Sequence, residues 1–318
     1  GYGVDPNQVI VTNGGKQAVY ESFQILLNDG DEVIIPTPYW TSYPEAVKLA
    51  GGVPVEVFAG ADRNFEPSLE DLEAARTERT KAIIVNTPNN PTGAVWNPET
   101  VKAIGEWAVE HHVWVISDEI YEHLNYDGAK TTYIGAAVPE VRDQLLVLNG
   151  VAKTYAMPGW RVGWMVLSGN KRLAKDYIEG LNMLANMRMC SNVPAQSVVQ
   201  TALGGHQSVK DYLVPGGRIY DQRELVYNML NDIPGITAVK PKAAFYIFPK
   251  IDVKKFNIHS DEQFALDLLH DKHILISHGG AFNWQEPDHF RVVYLPRISM
   301  LKETIGEIGD FFSTYWQA

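Results

Sequence analysis

Apolar positions along the chain fall into two periods. Short runs at residues 9–12, 31–36, 53–57, 81–86, 113–117, 145–148 and 162–167 are of strand length, rich in Val, Ile and Leu, and bounded by turn residues. Between them, residues 16–27, a stretch after Tyr39-Trp40 to about Ala50, 69–75 behind Ser68 as N-cap, and 98–111 read as helices. In the first of these, Ala18, Val19, Phe23, Leu26 and Leu27 mark the buried face. Alternating strand and helix predicts an α/β fold, a mostly parallel sheet covered by helices on both faces. Farther on, helical patterns run over 171–187, 193–203 and about 209–231. Strand patterns follow at Val239, 245–248, 274–276 and 290–294, with helices at 263–269 and 301–315, and these predict a smaller α+β domain. No internal repeat or low-complexity segment interrupts the pattern.

Composition narrows the function classes. The 318 residues, 45% apolar and 20% charged, suit two folded domains and not a disordered chain. A net charge of -11 argues against nucleic acid or an acidic membrane as partner. It does not forbid a phosphorylated ligand, which local groups hold. No run approaches the ~20 apolar residues of a membrane helix. The single cysteine, Cys190, excludes an intramolecular disulfide and fits a reducing, cytoplasmic setting. Its neighbours Met189 and Ser191 offer no base, so a buried structural thiol is expected. The pairs His111-His112 and His270/His273 lack zinc-site spacing, and no metal is assigned to them.

Several residues carry possible chemistry. Lys153 and Arg161 sit between two strand-like runs, the lysine just past the first and the arginine just before the second. A neutral lysine amine can form a Schiff base, and arginine is a fork for phosphate; on spacing alone the segment reads equally as a solvated loop. Asn13-Gly14-Gly15 joins strand to helix, where free backbone N–H groups can hold an anion, although a plain turn fits too. Lys16 is a rival Schiff-base lysine, but its place at a helix start suits an anion contact. Pro88 and Pro91 flank Asn89-Asn90 and restrict the direction in which Asn90 points. Asp118 ends a buried strand, a common ligand position in α/β proteins and equally a capping position. Trp40 is either core or a stacking face. Arg291 lies inside an apolar strand, where it needs a structural carboxylate or a ligand's.

The run Asn149-Gly150-x-x-Lys153-x-x-x-Met157-x-Gly159-Trp160-Arg161-x-Gly163 resembles the cofactor-lysine segment of the class I pyridoxal phosphate (PLP) aminotransferases, of fold type I. The likeness spans essentially the whole chain. Residues 11–160 are most similar to bacterial aspartate aminotransferases, whereas residues 177–181, 192–196 and 287–291 are closer to alanine-type enzymes. The resemblance implies Lys153 as the PLP lysine and proton carrier, Asp118 as partner of the pyridine nitrogen, and Tyr121 and Asn90 at the ring oxygen. It further implies Gly15, Lys16 and Arg161 at the phosphate, Trp40 over the ring, and Arg291 on the substrate carboxylate. Large and small domains are expected over 1–208 and 209–318, the second opening with a long interdomain helix. A homodimer is implied. Many relatives carry serine where this chain has Ala152 or Gly150, which removes one phosphate contact. The chain opens on Gly1 in mid-pattern, so an N-terminal segment is expected to be missing. Alanine–glutamate exchange with pyruvate and 2-oxoglutarate is the expected activity. The alternatives are aspartate transamination, β-elimination from a sulfur amino acid, and a non-catalytic PLP-sensing domain.

Overall fold

A computed structural model describes residues 3–170, 172 and 174–318. Seven strands form the main sheet: β1 (Val9–Thr12), β2 (Glu32–Thr37), β3 (Val53–Phe58), β4 (Thr80–Val85), β5 (Trp114–Asp118), β6 (Leu145–Gly150) and β7 (Gly163–Leu167). Their order is β1-β7-β6-β5-β4-β2-β3, with β3 to β6 in parallel and β7 antiparallel to both its neighbours. Side chains alternate faces along a strand. Ile34, Ile83, Val85 and Val115 therefore pack on one side with Ile104 and Trp107 of helix Pro98–Glu110. Val33, Ile35, Ile84, Ile116 and Leu148 pack on the other with Val19 and Phe23 of helix α1 (Gly15–Leu26). Cover on both faces is why these strands read as unbroken apolar runs.

The C-terminal part packs a separate cluster. Helices Arg218–Asn231, Asp261–Lys272 and Ile298–Thr314 contribute Val226, Leu230, Phe264, Leu268, Ile305 and Ile308. Its strands are short: β8 (Ile236–Thr237), β9 (Tyr246–Ile247), β10 (Lys250–Ile251), β11 (Ser277–His278) and β12 (Phe290–Val293). β12 lies between β11 and β9, which puts Arg291 on the middle strand of three.

Several expectations fail here for local reasons. The helix expected over 209–231 is broken: a 3-10 turn, Ser208–Tyr212, precedes Pro215-Gly216-Gly217, and the α-helix begins at Arg218. Proline removes a helical donor, and Gly216 has φ +82°, outside the helical region. The pattern over 193–203 splits into Val193–Gln196 and Val199–Gly204. Residues 274–276 form no strand; Leu275 is 79% exposed, and pairing begins at Ser277. Val239 also lies outside a strand, the pairing falling at Ile236–Thr237. Lys171, the expected start of a helix, lies outside the described residues, and that helix is Lys175–Arg188. Cys190 is exposed, not buried, because the helix ends at Arg188 and Met189 turns the chain away with φ 72°. Among the described residues no helix is long and apolar enough to cross a membrane.

Candidate active site

The carboxyl ends of β1, β2, β4, β5 and β6 open on one side of the sheet, where parallel α/β folds place their ligands. A cavity of about 350 Å³ lies there. Gly15, Lys16, Trp40, Asn90, Asp118, Tyr121, Lys153, Arg161 and Arg291 all line it, so every residue singled out from the sequence comes to one site.

One end is built for an anion. Gly14 has φ +78° and α1 starts one residue later, its first N–H groups without helical partners. The Arg161 guanidinium lies against this turn, donating to Asn13 O at 3.1 Å and Pro158 O at 2.9 Å. A Cβ on Gly14 would stand 2.2 Å from Arg161 Nη2, so only glycine allows this approach. A Cβ on Gly15 would meet nothing within 4 Å, which leaves the helix start open. Lys16 Nζ lies 4.8 Å from the Trp40 ring centroid.

At the other end Asp118 is buried. Its Oδ2 accepts from Tyr43 Oη at 2.7 Å and its Oδ1 from Ile120 N at 3.3 Å. Burial pushes its carboxyl above the usual range, against the Tyr43 and Ile120 bonds and the positive charge of Lys153. Lys153 Nζ lies 5.8 Å from the Tyr121 ring centroid and 5.6 Å from that of Phe245. The Tyr121 and Tyr246 hydroxyls are 3.0 Å apart. Arg291 is held between the rings of Tyr246 and Phe282, its Cζ 4.7 Å and 4.6 Å from their centroids. Its Nη1 donates to Asn90 Oδ1 at 2.8 Å, and its Nε is buried without a partner. No carboxylate among the described residues pairs with it, and burial lowers its pKa from the usual arginine range.

Sequence reasoning missed Tyr43, Asn86, Asn149 and Tyr246, which also line the cavity. Asn86 Nδ2 donates to Asp118 O at 3.1 Å, and its Oδ1 accepts from Asn90 N at 3.2 Å, tying the Asn90 loop to β5. Tyr43 sits in the first turn of the helix Ser42–Leu49, where an apolar pattern absorbs its ring. Tyr246 was absorbed into an apolar strand pattern. The histidines do structural work: His111 Nε2 lies 3.3 Å from Glu73, and His273 caps a helix. Among the described residues no His, Cys, Asp and Glu cluster could hold a metal ion.

An amine, a buried carboxylate, a phenol and two arginines around one cavity at a sheet's carboxyl edge define an α/β enzyme for a small anionic substrate. Comparison with known proteins is specific. An aminotransferase from Escherichia coli superposes with a TM-score of 0.96 at 44% identity, covering 99% of this chain and 78% of that one. Glutamate-pyruvate aminotransferase AlaA of Haemophilus influenzae is 47% identical over 315 residues, 99% of this chain and 78% of the relative. An alanine aminotransferase of Mycobacterium bovis is 42% identical over 98% of this chain and 72% of its own length. The family model for aminotransferase class I and II matches residues 2–307, and the chain belongs to that family.

The family depends on pyridoxal phosphate, and the site fits that group. The open helix start beside Arg161 suits a phosphate. Among the described residues no cation is hydrogen-bonded to the buried Asp118, and a protonated ring nitrogen would supply one.

Proposed function

We propose that the chain exchanges amino groups between alanine and 2-oxoglutarate, giving pyruvate and glutamate. The observation that carries this is the convergence of Lys153, Asp118 and the unpaired Arg291 on one cavity. The choice of substrates is supported by the names of the relatives. PLP, when bound, supplies an aldehyde and a ring able to take up the electron pair left on the substrate's Cα. Lys153 would hold it by the side-chain amine, and the same amine is placed to move the substrate's Cα proton, a transfer worth ~10²–10⁴-fold. Asp118 would keep the ring nitrogen cationic, and Tyr121 would donate to the ring oxygen. Asn90 Oδ1 accepts from Arg291 Nη1, which leaves Asn90 Nδ2 as a second donor to the ring oxygen. Gly15, Lys16 and Arg161 would hold the phosphate, Trp40 would offer the ring an aromatic face, and Arg291 would bind the substrate α-carboxylate as a bidentate fork.

Residues 1–208 and 209–318 are the large and small domains of this reading, supported by a cluster of buried residues that runs from Val209 to Phe312 and takes only Tyr121, Leu124 and Tyr126 from the first part. A homodimer is supported by the exposed apolar side chains of Met183, Met187, Met189 and Val193. A cytoplasmic location accords with the unpaired cysteine.

The test is a half-reaction screen. Single amino acids are added to PLP-loaded enzyme, and the absorbance of the lysine-bound cofactor is followed. Alanine and glutamate should convert it to the amine form; preference for aspartate over alanine would replace the substrate assignment. Lys153→Ala should show neither that absorbance nor turnover, and full activity in it would remove Lys153 from this role.

A further inference from the structure

Two buried phenols meet in the cavity, with Tyr121 and Tyr246 hydroxyl oxygens 3.0 Å apart and only one proton able to lie between them. Tyr121 follows β5 by three residues, whereas Tyr246 is on β9. The Tyr246 hydroxyl has no other hydrogen-bond partner among the described residues. If Tyr121 were the donor, its one proton would be spent on Tyr246 and would not be available to the ring oxygen that the proposed reading assigns it. If Tyr246 is the donor, its proton is used, and the Tyr121 proton is free for whatever oxygen enters the cavity.

We propose that Tyr246 is a positioning residue for amino transfer: its hydroxyl donates to Tyr121 and turns the Tyr121 proton toward the cofactor. This rests on the reading of Tyr121 as the donor to the ring oxygen. A hydroxyl that accepts one hydrogen bond becomes a stronger donor of the next. Tyr246 therefore favours negative charge on the ring oxygen and lowers the pH at which the lysine-bound cofactor loses its proton. Its ring has a separate task, lying against the Arg291 guanidinium at 4.7 Å and edge-on to Tyr121 at 84°. The charged and titratable groups facing the pair are Asp118, Lys153, Arg291 and the phenols of Tyr43 and Tyr294. All of them are retained in the variants below.

Tyr246→Phe removes the hydroxyl and keeps the ring. The visible absorbance of PLP-loaded protein is titrated against pH for wild type, both single phenylalanine variants and the double variant. Tyr246→Phe should raise the midpoint by roughly half a pH unit, about threefold in the acid constant. Tyr121→Phe should raise it by roughly one unit or more, and adding Tyr246→Phe to it should change nothing further. The KM for the amino acid should stay within about twofold in Tyr246→Phe while kcat falls, because the contact with Arg291 survives. An unmoved midpoint in Tyr246→Phe, or the same shift with Tyr121 already replaced, overturns the proposal. No shift in Tyr121→Phe would instead remove the reading of Tyr121 beneath it.

Discussion

Arg223 and Arg291 are clasped alike and answered differently. Each guanidinium lies between two aromatic rings, Arg223 at 4.2 Å and 4.7 Å from Tyr126 and Tyr220, Arg291 at 4.7 Å and 4.6 Å from Tyr246 and Phe282. In both, Nε has no partner. Arg223, however, is wholly buried and carries two carboxylates on Nη2, Asp127 at 2.7 Å and Glu224 at 2.6 Å. These outweigh burial and raise its pKa, whereas burial alone lowers that of Arg291. Stacking fixes where a guanidinium sits; the countercharge decides whether its charge is already spoken for. Arg223 is closed and structural, tying its helix to Asp127 and, through Nη1, to Pro241 O at 3.1 Å. The next residues, Lys242 and Ala243, donate their N–H groups to Gly93 O at 2.9 Å, behind the Asn90 loop. The closed arginine thus braces the segment against which the open one works.

The largest effect should come from the open arginine. On the proposed reading, Arg291→Ala lowers kcat/KM for alanine by ~10²–10³-fold, the cost of leaving a carboxylate without its fork. Thermal stability should change little, since losing the ring contacts and the Asn90 hydrogen bond is offset by removing a half-buried cation that lacks a countercharge among the described residues. A kcat/KM within a few-fold of wild type would mean that the carboxylate binds elsewhere. Arg223→Met should do the reverse, with a loss of about 3 kcal/mol in unfolding free energy by urea titration. The low end of the range for broken buried pairs applies because Asp127 and Glu224 are 49% and 29% exposed and water can answer them. KM in the folded fraction should change little. Lost catalysis at unchanged stability would erase the distinction between the two arginines.

How legible these regions were in the sequence also differs. The strands of the main sheet stood out because burial on both faces gives continuous apolar runs between turns. All nine candidate residues line the cavity: most lie just past the carboxyl ends of neighbouring strands, which must converge, whereas Arg161 precedes β7 and Arg291 comes from β12 of the three-stranded sheet. The C-terminal part was harder to read. Strands of two residues, such as Tyr246–Ile247, carry too little pattern to place their ends. The break at Pro215-Gly216-Gly217 was in plain view but was overridden by helical spacing on either side. Tyr43 and Tyr246 were hidden for another reason: an apolar pattern accepts a tyrosine ring, while the hydroxyl's partner is remote in sequence, at Asp118 and Tyr121. Partners joined only by folding leave no local signal.

A further buried ionisable group, Glu119, sharpens the contrast, because among the described residues it has no countercharge and it does not line the cavity. Its Oε1 accepts from Ser117 Oγ at 3.0 Å. Burial, Glu122 and Asp118 together push its pKa from 4.5 up to about 8. Tyr133 and His123 also face this cluster through Glu122. Between about pH 4.5 and about pH 8 the folded chain keeps a proton that the unfolded chain has released. Fewer protons on the unfolded side mean that stability falls as pH rises through this window, by up to roughly 1.4 kcal/mol per unit, and levels off above it. Glutamine copies the neutral acid. Glu119→Gln should match wild type near the bottom of the window and become steadily more stable toward its top. Because the two proteins differ at one group, titrations that are not coupled to Glu119 cancel in the difference between their urea-unfolding curves, which leaves Glu119 and its neighbours Glu122, Asp118 and Tyr133. Parallel curves across the window would mean that Glu119 is ionised in the fold, and that a buried charge here can persist without the countercharge that separates Arg223 from Arg291.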